Sequence, residues 1–238
     1  MRLPKRVTVV DVGPRDGLQN EHHIVPTTAK LEFISALAAA GLCEIEVGSF
    51  VRRDRVPQMG DTEQVVRGLD LEGPVRYAAL VANRKGLERA LAVGIRRIAV
   101  FTAASEAFAR ANIRLSIDKS LERFAPLVRT ARRAGVDVRG YISTAWWCPF
   151  RGRVEPEAVE RVAERLIEAG CTELSIADTI GAATPGEVQR LLRRLAGRLD
   201  LKRLAVHFHD TRGTALANVL AALQIGVTTI DASAGGLG

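Results

Sequence analysis

Segments that resemble strands alternate with helical patterns along almost the whole chain. Eight strands are predicted, at residues 7–13, 43–50, 76–82, 97–105, 137–146, 173–179, 203–210 and 228–234. Helical patterns lie between them, at about 27–41, 61–69, 84–94, 116–134, 155–169, 184–199 and 213–226. This alternation, at about 30 residues per unit, favours an α/β fold of the TIM (β/α)₈ barrel type over an open doubly wound sheet. A dinucleotide-binding sheet is disfavoured because no G-x-G-x-x-G follows the first strand.

Several helix boundaries are marked by their own residues. Thr184-Pro185-Gly186-Glu187 provides a capping residue, a first-turn proline and a glutamate three residues after the cap, which predicts a helix start. Glycines at positions 41, 94, 135, 170 and 226 stand where five helices end before the next strand, as C-terminal caps do.

Length and composition narrow the class of protein. With 238 residues, 47% of them hydrophobic, the chain is predicted to form one catalytic barrel domain over residues 1–238. The sequence ends at Gly238, just after the eighth strand, so the last loop and helix of a complete barrel are expected to be missing from this pattern. No apolar run approaches the ~20 residues that span a bilayer. MRLPKR is too short for a secretory signal, so a cytoplasmic location is predicted.

The charge balance does not indicate a nucleic-acid-binding protein. The formal net charge is +7, but the basic residues are spread over helices and interleaved with acids, and aromatic residues make up only 5%. We therefore predict neither a nucleic-acid nor a membrane partner, and at most a local basic patch for an anionic substrate.

Three cysteines, Cys43, Cys148 and Cys171, form no C-x-x-C pair and argue against a disulfide framework. Cys43 and Cys171 are predicted to be buried and inert. Cys148 precedes a proline in a loop after a strand, where it could face a site.

Two histidines near the end of the seventh strand predict a metal site. In VHFHDTRG, residues 206–213, period-two geometry places His207 and His209 on one strand face. Asp16 follows the first strand, and in a barrel the carboxyl ends of the strands share one rim. Two imidazoles and a carboxylate with open positions suit a catalytic Mg²⁺ or Mn²⁺ better than zinc, since no thiolate joins the set.

Other polar residues at strand ends belong to the same predicted rim. Some have structural alternatives: Glu46 as a buried residue neutralised by an arginine, Asp178 as a loop cap, Arg212 as a solvated side chain, Asn20 and Glu21 as loop-fixing groups, and His22 and His23 as exposed. The residues predicted to contact substrate are Arg15, Gln19, Ser49, Ser143 and Thr179.

Five segments together resemble the 3-hydroxy-3-methylglutaryl-CoA lyase family of metal-dependent TIM barrels, which share an R-D-G-x-Q opening. They are VDVGPRDGLQNE, EVGSFVRRDRVPQMGDTEQVV, GYISTAWWCPFRGRV, SIADTIGAATPGEV and AVHFHDTRGTALANVLAALQIGV. The resemblance runs in one register from about residue 7 to the end.

The resemblance implies cleavage of a 3-hydroxy-3-alkylglutaryl-CoA, giving acetyl-CoA and acetoacetate in the best-known member. By this likeness Asp16, His207 and His209 bind the divalent cation, and Arg15 stabilises the enolate of the departing thioester. Glu46 supports the network on the metal side, and Asp178 orients or deprotonates the tertiary alcohol. The predicted catalytic set is therefore Arg15, Glu46, Asp178 and His207.

Departures from the family pattern keep alternatives open. The family's glycine-rich loop, with a catalytic cysteine and a metal-binding asparagine, would follow residue 238, and Cys148 belongs to a different motif. Trp146-Trp147, Phe208 and Arg212 differ from common choices, which leaves the acyl chain undecided. An acetyl-CoA-dependent synthase on the same barrel and a non-catalytic metal-binding barrel remain alternatives, and a homodimer is predicted.

Overall fold

The structure, a computed structural model, describes residues 3–238. Met1 and Arg2, which belong to the segment predicted to carry no secretory signal, lie outside the described residues. All eight predicted strands are confirmed. They are β1 (Thr8–Asp11), β2 (Glu44–Phe50), β3 (Arg76–Val81), β4 (Arg97–Ala103), β5 (Asp137–Ser143), β8 (Glu173–Asp178), β9 (Leu204–Phe208) and β10 (Thr229–Ala232). Their hydrogen-bonded order closes on itself as β1-β10-β9-β8-β5-β4-β3-β2.

These strands form because their sequences are rich in β-branched and aliphatic residues that a parallel sheet buries on both faces. Ile98, Val100, Ile142, Ile176 and Val206 are each fully buried. Neighbouring strands pair in parallel, as Leu174–Asp178 of β8 does with Leu204–Phe208 of β9. The α/β barrel prediction is confirmed.

The part of the chain that the structure describes contains the seven predicted helices and an eighth, α4, that was not predicted. They are α1 (Thr27–Ala39), α2 (Thr62–Arg67), α3 (Arg84–Ala92), α4 (Glu106–Ile113), α5 (Ile117–Arg133), α6 (Pro156–Ala169), α7 (Pro185–Ala196) and α8 (Ala215–Ile225). The capping box of Thr184 and Glu187 is formed at the start of α7. The five predicted cap glycines all have positive φ, between 74° and 112°, a conformation that costs glycine little.

The chain divides into two compact units. The first contains Phe101–Arg129 and Arg139–Ile230, with the described N-terminal residues 3–7. It includes α4 and α6 to α8. The second contains Thr8–Val100, Thr130–Val138 and Asp231–Gly238, and it includes α1 to α3 and the last residues of the chain. Strands β4, β5 and β10 each contribute residues to both units.

Local irregularities occur where strands end. A π-helical turn, Gly13–Gly17, follows β1, and a register shift between Glu46 and Gly48 interrupts the pairing of β2 with β3. After β5, a two-stranded antiparallel hairpin forms from β6 (Trp147–Cys148) and β7 (Gly152–Arg153). None of these three features was predicted from sequence. Within residues 3–238, no helix has the length and apolar character needed to cross a membrane.

One cysteine prediction is wrong. Cys43 is exposed, because β2 begins one residue later, at Glu44, and leaves the thiol in the connection after α1. Cys171 is buried, as predicted, and Cys148 is buried too.

Candidate metal centre

The turn after β1 presents two of the predicted site residues. The backbone N–H groups of Arg15 and Asp16 both donate to the carbonyl of Val12, at 3.1 and 2.6 Å. The resulting π-helical turn carries Arg15, which is buried, and Asp16, which is half-buried. Such turns recur at functional sites, because the inserted residue redirects the side chains around it.

The end of β9 presents the two histidines. His207 is the penultimate strand residue and His209 follows the strand directly. Their Nε2 atoms lie 3.2 Å apart, so the two rings face the same side, as the period of two predicts. Phe208, between them, instead packs against Trp146, with ring centroids 5.6 Å apart.

The structure brings Asp16, His207 and His209 together. Each offers one ligand atom, and these atoms all lie within 4.8 Å of one another. Two ligands at about 2.1 Å from an octahedral cation lie about 3 Å apart, which the histidine separation of 3.2 Å matches. The donor set therefore fits a divalent cation. The strands that present these ligands are not direct neighbours, because β10 lies between β1 and β9 in the sheet.

Arg15 is held by acidic groups on both sides. Its Nε and Nη2 atoms lie 2.8 and 2.7 Å from Oε2 of Glu46, and its Nη1 pairs with the carboxylate of Asp16. Glu46 is 1% exposed and stands at the register shift of β2, as bulges near functional sites often do. The alternative in which an arginine neutralises Glu46 therefore describes its surroundings, and that arginine is Arg15, itself a predicted site residue.

Asp178 ends β8 and holds the following loop. Its two carboxylate oxygens accept backbone N–H groups of Ala182 at 3.1 Å and Ala183 at 2.9 Å. Burial raises the pKa of Asp178 above its ordinary value of 3.8, although these two hydrogen bonds act in the opposite direction. The carboxylate therefore has the loop-fixing contacts of the structural alternative.

This loop also contacts the histidine segment. The N–H of His209 donates to the carbonyl of Asp178 at 3.4 Å. Gly181 has φ of 59°, and a Cβ at this position would lie 2.6 Å from the His209 carbonyl oxygen, so only glycine fits without displacement. Arg212 is exposed but donates to the carbonyls of Ile180 and Gly181, so describing it as merely solvated is wrong.

The residues predicted to contact substrate differ in burial and in whether their side chains already form hydrogen bonds within the protein. Ser49 is 1% exposed, and its Oγ has no hydrogen-bond partner among residues 3–238. Gln19 and Ser143 are half-buried. The hydroxyl of Thr179 accepts the N–H of Thr144 at 2.8 Å, which fixes Thr144 in its unusual conformation with φ of 53°.

The remaining candidate residues either form contacts within the protein or are exposed. Asn20 donates to the carbonyl of Asp16 at 2.9 Å, which matches its predicted loop-fixing role, and His22 and His23 are exposed as predicted. Cys148 does not stand free in a site, because the Ser105 hydroxyl donates to its Sγ at 3.0 Å.

Sequence reasoning missed an aromatic neighbour of the centre. The ring of Tyr141 meets His207 edge-on, with centroids 6.3 Å apart and planes at 88°, and the Arg139 guanidinium lies 5.2 Å from the Tyr141 centroid. Tyr141 stands two residues before Ser143, which was chosen as a rim residue, so the period of two would have placed both on one face.

A family model described as HMGL-like matches residues 6–238. The chain belongs to the HMGL-like family. Within this HMGL-like match lie all three residues of the candidate metal centre. The hydroxymethylglutaryl-CoA lyase of Pseudomonas mevalonii is 52% identical over 232 residues, covering 98% of this chain and 77% of the relative.

Two further comparisons involve Pseudomonas aeruginosa. Its 3-hydroxy-3-isohexenylglutaryl-CoA/hydroxy-methylglutaryl-CoA lyase is 50% identical over 238 residues, covering 100% of this chain and 79% of the relative. The crystal structure of hydroxymethylglutaryl-CoA lyase from the same species superposes with a TM-score of 0.97 at 50% identity, covering 100% of this chain and 79% of the other. The HMGL-like chain therefore shares both sequence and barrel with these lyases.

Proposed function

We propose that this protein is a divalent-cation-dependent carbon–carbon lyase. Its substrate would be 3-hydroxy-3-methylglutaryl-CoA or a related 3-hydroxy-3-alkylglutaryl-CoA, and its products acetyl-CoA and acetoacetate or another 3-oxo acid. Relatives that are 50–52% identical over 98–100% of the chain carry hydroxymethylglutaryl-CoA lyase names, and they support this activity. One of those names includes an isohexenyl substrate, so the size of the 3-alkyl group stays part of the proposal.

The observation that carries the proposal is the convergence of Asp16, His207 and His209, whose ligand atoms lie within 4.8 Å of one another. These three side chains would hold the cation. We propose Mg²⁺ or Mn²⁺, because a carboxylate and two imidazoles without a thiolate leave room for substrate oxygens. A divalent cation, when bound, supplies Lewis-acid polarisation of the oxygens it contacts.

Cleavage of the substrate requires two things of the protein. The tertiary alcohol loses its proton and becomes a ketone, the adjacent carbon–carbon bond breaks, and its electron pair passes to the thioester fragment as an enolate. That enolate then takes up a proton to give acetyl-CoA. The protein must therefore assist loss of the first proton and offset the charge on the enolate.

Arg15 is proposed to offset the enolate charge. Its guanidinium is held in place by Glu46 and Asp16, so it need not reorganise as negative charge develops. Glu46 is proposed to orient this guanidinium through the two contacts to its Oε2 atom.

Asp178 is proposed to orient the substrate alcohol or accept its proton. Its raised pKa suits a proton acceptor, whereas its two bonds to the loop backbone compete with that role. Ser49 is proposed as a substrate contact because its buried hydroxyl has unused hydrogen-bonding capacity among the described residues. Gln19, Ser143 and Thr179 complete the proposed substrate-binding set.

We further propose one catalytic domain over residues 1–238, a cytoplasmic location and a homodimer. The closed strand order supports the single domain. On α8, Leu216 is 83% exposed and Leu220 is 40% exposed, and apolar groups of this kind suit burial against a second copy. Light scattering after size exclusion tests the dimer, and a monomer at micromolar concentration would contradict it.

The experiment that tests the proposed activity is a coupled assay for acetyl-CoA with Mg²⁺ or Mn²⁺. The purified protein should release acetyl-CoA from 3-hydroxy-3-methylglutaryl-CoA or from an analogue with a longer 3-alkyl group, and chelation should abolish the release. A parallel reaction with acetyl-CoA and a 2-oxo acid tests the synthase alternative. Consumption of the 2-oxo acid without thioester cleavage would replace our proposal with that activity.

A further inference from the structure

We propose that Asp11 is a positioning residue for the metal centre, acting through the turn that carries Arg15 and Asp16. Sequence reasoning did not select it, since it reads as part of an apolar strand. The inference deepens the proposed function and rests on it for its catalytic readout.

The Asp11 carboxylate connects two loops. It is the last residue of β1 and is 3% exposed. One carboxylate oxygen accepts the N–H of Gly13 at 2.8 Å, and the other accepts the N–H of Ala234 at 3.1 Å. Gly13 opens the turn Gly13–Gly17, and Ala234 opens the short helical turn Ala234–Gly236 after β10. One buried side chain therefore ties the loop after β1 to the loop after β10.

The same two segments meet again farther along. A Cβ on Gly17 would lie 2.6 Å from Cβ of Leu237, and one on Gly13 would lie 3.0 Å from Oγ of Ser233. The turn and the end of the chain are thus in close contact at both ends of the turn. Displacement of either segment would be transmitted to the other.

Arg15 and Asp16 lie between these two contact points. Their backbone N–H groups bind the carbonyl of Val12, the residue next to Asp11. Their side-chain positions consequently depend on how Gly13 and Gly17 are anchored. Side chains that orient metal ligands typically account for about 10–100-fold in metal affinity or activity.

A carboxylate suits this role better than an amide. Both of its oxygens accept, so it satisfies two N–H groups that point at it from different loops. In Asp11→Asn one oxygen becomes an NH₂ group, which places a donor against one of those N–H groups. Asp11→Glu keeps both acceptors at the expense of one extra methylene.

The test compares Asp11→Asn, Asp11→Glu and Gly17→Ala with Asp61→Asn. Asp61 is a half-buried acid that binds Thr27 and Lys30 and lies in neither loop, so its variant controls for general loss of stability. For each folded variant we would measure the Mn²⁺ dissociation constant by electron paramagnetic resonance, kcat and KM for the acyl-CoA, and hydrogen exchange of peptides spanning residues 12–17 and 233–238.

Asp11→Asn and Gly17→Ala should weaken Mn²⁺ binding about 10–100-fold and lower kcat more than they raise KM. Exchange should become faster in both peptides, and Asp11→Glu should restore part of the affinity. Asp61→Asn should leave all of these unchanged. Unaltered exchange in both peptides of Asp11→Asn, or the same Mn²⁺ affinity in Asp11→Asn and Asp61→Asn, would overturn the inference.

The outcomes separate this inference from the proposed function. If the unaltered protein cleaves no acyl-CoA but its Mn²⁺ affinity depends on Asp11, the lyase proposal fails and the positioning role stands. If it cleaves the thioester and Asp11→Asn does so equally well, the lyase proposal stands and the positioning role fails.

Discussion

Two nitrogens of Arg15 share one oxygen of Glu46, with Nε at 2.8 Å and Nη2 at 2.7 Å. The side chains of the two residues are 7% and 1% exposed. The group proposed to meet the substrate enolate is therefore also one half of a buried ion pair.

Arg15→Gln should affect both rate and stability. Loss of a fixed donor to developing charge costs ~10²–10³ in kcat. The ionised Glu46 carboxylate would also be left buried without its guanidinium, which typically destabilises a protein by about 3–5 kcal/mol. Steady-state kinetics and urea unfolding measure the two effects on the same preparation.

The double variant Arg15→Met with Glu46→Leu separates the effect on rate from the effect on stability. Replacing a buried ion pair by apolar groups of similar volume is often neutral or stabilising, so much of the stability should return while activity stays low. Recovery of activity in the double variant would contradict the role proposed for Arg15.

Removal of either histidine should abolish tight binding of the cation. In His207→Asn or His209→Asn the donor set falls from three side chains to two, so the Mn²⁺ dissociation constant should rise by more than about 100-fold, beyond the effect of an orienting residue. Calorimetric titration measures it. His23→Asn, at an exposed histidine, is the matched control. Equal Mn²⁺ affinity in His209→Asn and His23→Asn would remove His209 from the site.

The effect of the bound cation on thermal stability provides an independent check on the same centre. A ligand that binds the folded protein alone, at 100 times its dissociation constant, adds about 2.7 kcal/mol to the free energy of unfolding. Saturating Mn²⁺ should therefore raise the thermal midpoint of the native protein and leave that of His207→Asn unchanged. An equal rise in both proteins would show that the cation acts elsewhere.

The barrel and its rim could be predicted from sequence because both follow from short-range patterns. Apolar strands alternate with capped helices, and in a barrel the strand ends share one face. Asp16 and the two histidines could therefore be assigned to one site, although 191 positions separate Asp16 from His207 in the chain. The α4 helix escaped prediction because it is short and ends at Arg114 in the left-handed conformation, with φ of 56°. A glycine at that position would have marked its end.

Features that depend on distant partners could not be read from sequence. Gly13-Pro14 indicates that the strand ends there. It does not indicate that the following residues form a π-helical turn, which is stabilised by Asp11 and by contact with Leu237. Glu46, the partner of Arg15, stands at the register shift in β2, which no local pattern in EIEVGSF indicates. The exposure of Cys43 depends on a strand start that is shifted by one residue.

Thiol labelling should separate the three cysteines. Cys43 is exposed, whereas Cys148 and Cys171 are buried, and burial raises the pKa of Cys171 to about 12. The thiolate is the reactive form, so at about pH 8 a disulfide reagent should label one thiol of the native protein rapidly and all three after unfolding. Cys43→Ser should remove the rapid phase. A rapid phase that persists in Cys43→Ser would contradict the assigned burial.

Glu187 should make the stability of the protein depend on pH. Its carboxylate accepts the N–H and the hydroxyl of Thr184, both at 2.9 Å. Burial opposes its ionisation, but the hydrogen bonds from Thr184 and Trp147 outweigh burial and hold the pKa of Glu187 below its ordinary value of 4.5. A pKa that is lower in the folded state stabilises above the unfolded pKa, and this contribution is lost as the pH falls through the folded value.

Glu187→Gln should therefore lower the free energy of unfolding by about 1 kcal/mol at neutral pH, the usual size of a capping interaction. The difference from the unaltered protein should shrink as the pH falls below about 4.5, because the native carboxyl then becomes protonated as well. Urea unfolding at several pH values measures this difference, and Glu168→Gln, at an exposed glutamate, should show little effect at any pH. A Glu187→Gln difference that stays constant down to about pH 3 would show that the capping box does not depend on the ionised side chain.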